Sequence, residues 1–177
     1  MSVDLSQNFF ELFGIDPSFG IDAAQLDRAY REIQSRVHPD RFAHLPETER
    51  RLSMQWATHV NEAYRTLKHP LSRARYLLQL HGVDTQHESN TAMPAQFLMD
   101  QMEWREAAAE ARAAEDQAAL EQLHHRLRAE ADTLFAEIGK DIDRKQDYAA
   151  AADAVRRLMF VLKLKDDIDE ALESLET

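Results

Sequence analysis

His38-Pro39-Asp40 sets an imidazole and a carboxylate two residues apart, a pairing that a metal-dependent phosphohydrolase could use. That chemistry needs further His and Asp ligands converging on one pocket. His44, His59 and His69 follow no such pattern, and His59 fits a helix surface. The adjacent His124 and His125 would point about 100° apart on a helix, poor geometry for one metal ion. There is no Gly-rich phosphate loop and no Gly-x-Ser-x-Gly. The absence of cysteine removes disulfides, thiolate metal sites and cysteine nucleophiles together. No catalytic residue, metal or cofactor is therefore expected, and His-Pro-Asp must be weighed for what it presents rather than for what it cleaves.

The elements on either side say how it is presented. Leu26, Ala29, Tyr30, Ile33 and Val37 recur at helical spacing, and Asp22 with Gln25 resembles a capping box that opens their helix. Pro39 biases His38 away from helical dihedrals and cannot itself continue the helix. Pro46, Glu47 and Glu49 suit the first turn of another helix. Its buried side would be Leu52, Trp56, Val60, Ala63 and Leu67, and Pro70 breaks it. Spanning about 46–68, this helix pairs antiparallel with the one before, leaving His-Pro-Asp on the connecting loop. A loop on a rigid helical scaffold can offer side chains to a partner; the plainer alternative is that it only ends a helix. A short apolar segment, NFFELF, precedes the pair, and a helix at about 71–81 follows it and stops at Gly82.

Residues 83–93 (VDTQHESNTAM) are polar and aperiodic, the best linker candidate. Three long helical stretches follow, at about 94–114, 116–143 and 146–175. Ala151, Ala154, Leu158, Val161, Ile168, Leu172 and Leu175 form one seam, interrupted by Lys165; Leu120, Leu123, Leu127, Leu134 and Ile138 form a facing one. No run alternates as a strand does. The expectation is an all-α chain: a helical hairpin module over 1–82, a linker over 83–93 and a three-helix bundle over 94–177.

The net charge of −11 is lopsided. Residues 1–81 carry ten basic and ten acidic side chains, whereas 82–177 carry eleven and twenty-two. An acidic second half argues against nucleic acid as a partner, and the asymmetry suggests two modules with different partners. No stretch approaches the roughly 20 apolar residues of a membrane span. The N-terminus lacks the charged and apolar regions of a signal peptide, so a soluble cytoplasmic protein is expected.

Periodicity also exposes a surface. On the helix starting near Pro94, Phe97, Trp104, Ala108 and Ala111 fall on one side and suffice as the bundle contact. Leu98, Met99 and Met102 project from another side, shared with Glu103, Glu106 and Glu110. Phe160 lies about 160° from Leu158, off the bundle seam. A helix with two apolar faces either has neighbours on both or keeps one for a partner.

The order NFFELFGI, amphipathic helix, HPDRF, VNEAYRTLKHP resembles a J domain, the module that recruits DnaK-type ATPase chaperones. The further segments PLSRARYLLQLHG, AQFLMDQMEWRE and AAADAVRRLMF resemble the HscB family of iron–sulfur co-chaperones, so the likeness spans essentially the whole chain. Its fold would be an N-terminal J domain plus a C-terminal three-helix bundle. The Gly/Phe-rich and Cys-rich segments of general J proteins are absent, as is the Cys-x-x-Cys module of some eukaryotic relatives. Arg41 stands where many J domains carry Lys.

Two surfaces follow from the resemblance. Arg28 and Arg31 lie about 200° and 140° from Leu26, with Arg36 at the flank of the stripe. Alone, this is as readily a solvated charged face. The resemblance implies that Arg28, Arg31, Arg36 and Arg41 with His38, Pro39 and Asp40 bind an HscA-type (DnaK-family) chaperone and favour its ATP hydrolysis. It likewise implies that Leu98, Met99, Met102, Glu103, Glu106, Glu110 and Phe160 bind an IscU-type iron–sulfur scaffold. A J protein serving another assembly, or a purely structural helical adaptor, are the alternatives; the latter leaves His-Pro-Asp unexplained.

Overall fold

The computed structural model describes residues 7–37, 46–85 and 93–175. Through them run α1 (Phe9–Phe13), α2 (Ala23–Val37), α3 (Glu47–Lys68), α4 (Pro70–Leu80), α5 (Ala95–Ala113), α6 (Gln117–Lys140) and α7 (Tyr148–Leu175). A π-helical turn, Asp141–Lys145, separates the last two. No strand occurs among the described residues, in keeping with an all-α chain. Close Cα approaches divide the chain into two units, Met1–Leu77 and Leu78–Thr177.

In the first unit, Asn8 opens α1 with a complete capping box. Its side chain accepts from the N–H groups of Phe10 and Glu11, and the Glu11 carboxylate accepts from the Asn8 N–H at 2.9 Å. Gly14 closes the helix at φ 61°, a left-handed cap that glycine adopts without Cβ strain. So short a helix is held by what it buries. Phe10 and Phe13 drop into a core with Leu26, Val60, Ala63, Leu67, Ala74 and Leu77.

The start of α1 is pinned by α4. The Phe9 N–H donates to the Tyr76 hydroxyl at 3.0 Å, and the two rings stack 4.3 Å apart. Buried Arg73 donates to the Leu67 carbonyl at 2.6 Å and lies over the Phe19 ring.

α2 begins on Asp22, whose carboxylate accepts from the N–H groups of Ala24 and Gln25. It runs antiparallel to α3, as the contacts of Asp27 with Lys68 and of Tyr30 with Asn61 show. Leu52 departs from the expected buried side of α3: it is 44% exposed. The buried positions of that helix are Ser53, Val60, Ala63 and Leu67, so its inner face passes through Ser53 and leaves the neighbouring Leu52 turned outward. His59, expected on an open surface, is half-buried, its ring meeting both Phe9 and Trp56.

In the second unit, α5, α6 and α7 form a three-helix bundle. Phe97 near the start of α5 meets Phe160, and Arg112 near its end donates to the Asp167 carbonyl, so α5 and α7 run parallel. α6 runs against both: His124 reaches Asp169, and further along Glu137 reaches Arg157. Leu120, Leu123, Leu127, Leu134 and Ile138 are buried, as are Ala151, Ala154, Leu158, Val161 and Ile168. Leu172 and Leu175 are only half-buried, because the seam runs out near the end of α7. Lys165, the apparent interruption, escapes the core by pairing with Asp169 at 2.6 Å.

The turn from α6 to α7 is tight. Lys145 pairs with the largely buried Asp141 at 2.7 Å, and the Asp147 N–H donates to the Asp141 carbonyl. Gln146 takes a left-handed φ of 55°, and the Asp147 side chain caps α7 through the Ala150 N–H.

Candidate functional site

The basic face of the first unit is built by what α2 buries on its other side. Leu26 is fully buried, Tyr30 stacks on Tyr64 with centroids 4.0 Å apart, and the Tyr30 hydroxyl donates to the Asn61 side chain at 2.8 Å. Lys68 and the Tyr64 hydroxyl both donate to Asp27. The hydrogen bond from Lys68, then that from Tyr64, holds the Asp27 carboxyl below its ordinary range. The same carboxylate pushes Lys68 above the usual lysine range.

With these contacts consumed on the inner face, Arg28, Arg31 and Arg36 are exposed on the other. Arg28 is loosely paired with Asp22 at 3.9 Å, and Arg36 binds Glu32 one turn back at 2.6 Å. Both pairs are open to solvent and cost little to exchange for a partner's carboxylates. His38, Pro39, Asp40 and Arg41 lie outside the described residues.

On the bundle, Phe97, Trp104, Ala108 and Ala111 are all buried, and they make the bundle face of α5. Leu98, Met99 and Met102 are 39%, 57% and 70% exposed. Glu103, Glu106 and Glu110 are exposed beside them. Phe160 is half-buried, edge-on to Phe97 with centroids 6.0 Å apart.

Two residues that periodicity passed over organise this surface. Arg105 lies over the Phe160 ring, 4.8 Å from its centroid. Arg126 from α6 pairs with Glu103 at 3.1 Å and lies over the Trp104 ring. One glutamate of the three is thus turned toward α6, while the Phe160 side of the surface is turned toward α7. The angular position of Arg105 was available from the sequence, since it falls on the Leu98–Met102 stripe. What it touches was not, because that depends on the register of α7 against α5.

No group of three or more His, Cys, Asp or Glu residues suited to a metal ion occurs among the described residues. The rings of His124 and His125 meet edge to face, and His124 is engaged by Asp169. Among the described residues no helix is long and apolar enough to cross a membrane.

A helical hairpin module followed by a bundle of three helices defines a J-domain protein with a C-terminal helical domain. Residues 93–169 match the family described as the HSCB C-terminal oligomerisation domain. The whole chain is 59% identical over 177 residues to the Co-chaperone protein HscB homolog of Aromatoleum aromaticum, covering all of both chains. The chaperone HscB from Vibrio cholerae has a similar structure: TM-score 0.82 and 36% identity, over 96% of this chain and 99% of that one. Human co-chaperone protein HscB aligns with a TM-score of 0.88 at 30% identity, over 96% of this chain and 84% of the human one. The chain belongs to the HscB family of co-chaperones.

Proposed function

We propose that this protein carries an IscU-type iron–sulfur scaffold to an HscA-type, DnaK-family chaperone in the cytoplasm and stimulates that chaperone's ATPase during cluster assembly. The module over 1–82 docks on the chaperone through His38, Pro39, Asp40 and Arg41, with Arg28, Arg31 and Arg36 steering the approach. It supplies no catalytic group. It acts by binding one conformation of the chaperone better than another, and it can shift the balance between those conformations by no more than that difference in affinity. The bundle over 94–177, joined through 83–93, holds the scaffold. Leu98, Met99, Met102 and Phe160 provide the apolar contact, and Glu103, Glu106 and Glu110 set orientation and encounter rate.

The observation that carries this proposal is the double character of α5. Its bundle face is fully occupied by Phe97, Trp104, Ala108 and Ala111, yet three large apolar side chains stand exposed on another face of the same helix. Methionines ringed by carboxylates are costly to leave in water unless a partner covers them.

Steady-state ATPase of an HscA-type chaperone, with this protein and the scaffold added separately and together, tests both halves. Synergy that is lost in His38→Gln is the expected result. Stimulation with no scaffold effect would keep the J-domain half and sink the iron–sulfur half.

A further inference from the structure

Arg105 makes no ion pair among the described residues; its contact is the face of Phe160. The sequence explains why. Gln101 and Met102 precede it by four and three positions, and Ala108 and Ala109 follow at the same distances. No carboxylate stands where a helix could supply one. Lys163, one turn beyond Phe160 on α7, is exposed and has no ion pair among the described residues either. The acidic side is equally open: Glu106 and Glu110 are exposed and unpaired among the described residues, while Glu103 is taken by Arg126.

Around the axis of α5, Arg105 lies about 20° to one side of Leu98, and Met102, Glu106 and Glu110 lie about 40°, 80° and 120° to the other. The apolar ridge therefore runs between a cationic edge and an anionic edge. Stacking on Phe160 fixes the guanidinium in place and leaves its edge donors free, the arrangement that best receives a carboxylate through two parallel hydrogen bonds.

We propose that Arg105 determines the specificity and direction of scaffold docking by taking a carboxylate from the scaffold segment seated on Leu98, Met102 and Phe160. This rests on the scaffold-binding function proposed above. Glu106 and Glu110 face the basic side of the same segment. A segment laid in the reverse direction sets like charges against each other at both edges, which excludes it. Lysine at position 105 keeps the charge but loses both the stack and the fork.

Calorimetric titration of an IscU-type scaffold into the full-length protein tests this at low and high salt, with circular dichroism on each variant. The variants are Arg105→Glu, Arg105→Lys and the Leu98→Ala, Met102→Ala double. Arg105→Glu is expected to weaken binding about a hundredfold and Arg105→Lys about tenfold at low salt, both losses shrinking as salt screens the edge. Unchanged affinity in Arg105→Glu, with binding lost in the double variant, overturns the role of Arg105 and leaves the scaffold surface standing. Equal, salt-independent losses in Glu and Lys variants make Arg105 a packing lid on Phe160, which also overturns it. If the wild-type protein fails to bind the scaffold, or the double variant binds as well as wild type, the scaffold-binding function itself falls.

Discussion

Lys68 Nζ reaches both carboxylate oxygens of Asp27, at 2.6 and 2.8 Å, tying the last turn of α3 to the first half of α2. The pair holds the basic face of α2 at a fixed height on α3, with Tyr64 donating to the same carboxylate.

Its pH signature follows from the two shifts. Asp27 is depressed in the folded protein, so its contribution exists above the unfolded carboxylate value and is lost as pH falls through the lower, folded one. Lys68 is raised, so its contribution exists below the unfolded lysine value and is lost as pH rises through the higher, folded one. The melting-temperature difference between wild type and Asp27→Asn should be flat near neutrality. It should shrink below about pH 4 and above about pH 10. A difference that changes steadily between pH 5 and pH 9 would assign the effect to other groups.

Tyr76→Phe removes the acceptor of the Phe9 N–H and keeps the stacked ring. A loss of about 1 kcal/mol in urea unfolding is expected. Tyr76→Ala removes the stack too and should cost about 3 kcal/mol or more. Equal losses in the two variants would mean that the hydroxyl, not the ring, fixes α1.

Gly14 and Gly82 both have positive φ, at 61° and 75°, and a Cβ at either position meets nothing within 4 Å. Alanine there isolates backbone strain from steric clash, so each substitution should destabilise by about 1–2 kcal/mol. Chemical denaturation of the two single variants checks this, and a neutral result at either position would show that its cap relaxes.

The triple substitution Leu98→Ala, Met102→Ala and Phe160→Ala should abolish scaffold binding while the bundle stays helical. The stability costs should divide unequally. Exposed Leu98 and Met102 should contribute within about 0.5 kcal/mol each, whereas Phe160 loses its contacts with Phe97 and Arg105 and should cost about 1–3 kcal/mol. Leu158→Ala, a fully buried control, should cost about 2–5 kcal/mol. A triple variant that still bound scaffold would displace the surface from α5.

Much of the bundle was legible because burial follows helical periodicity. Phe97, Trp104, Ala108 and Ala111 separate from Leu98, Met99 and Met102 on angle alone, and the structure buries the first set and exposes the second. Cross-helix chemistry was not legible. Nothing in helical spacing says that Arg126 of α6 meets Glu103 of α5, or that His59 of α3 sits against Phe9 of α1, since those contacts depend on register and crossing angle. Leu52 reads as part of the inner stripe of α3 and stands exposed, because the inner face reaches that turn through its neighbour Ser53, and a search for apolar residues alone passes over a buried serine.

The π-helical turn between α6 and α7 has a bearing on insertions and deletions. With the Asp147 N–H bonded to the Asp141 carbonyl and Gln146 held left-handed, the hairpin has no slack in which to absorb a change of length. Removing or adding one residue there rolls α7 about its own axis by about 100°. Phe160 would then swing out from beneath Arg105, and Leu158 would leave the core, though neither side chain had been altered. The turn works as the phase mark of the bundle, and its residue count should tolerate less drift than the identity of any single exposed side chain it positions.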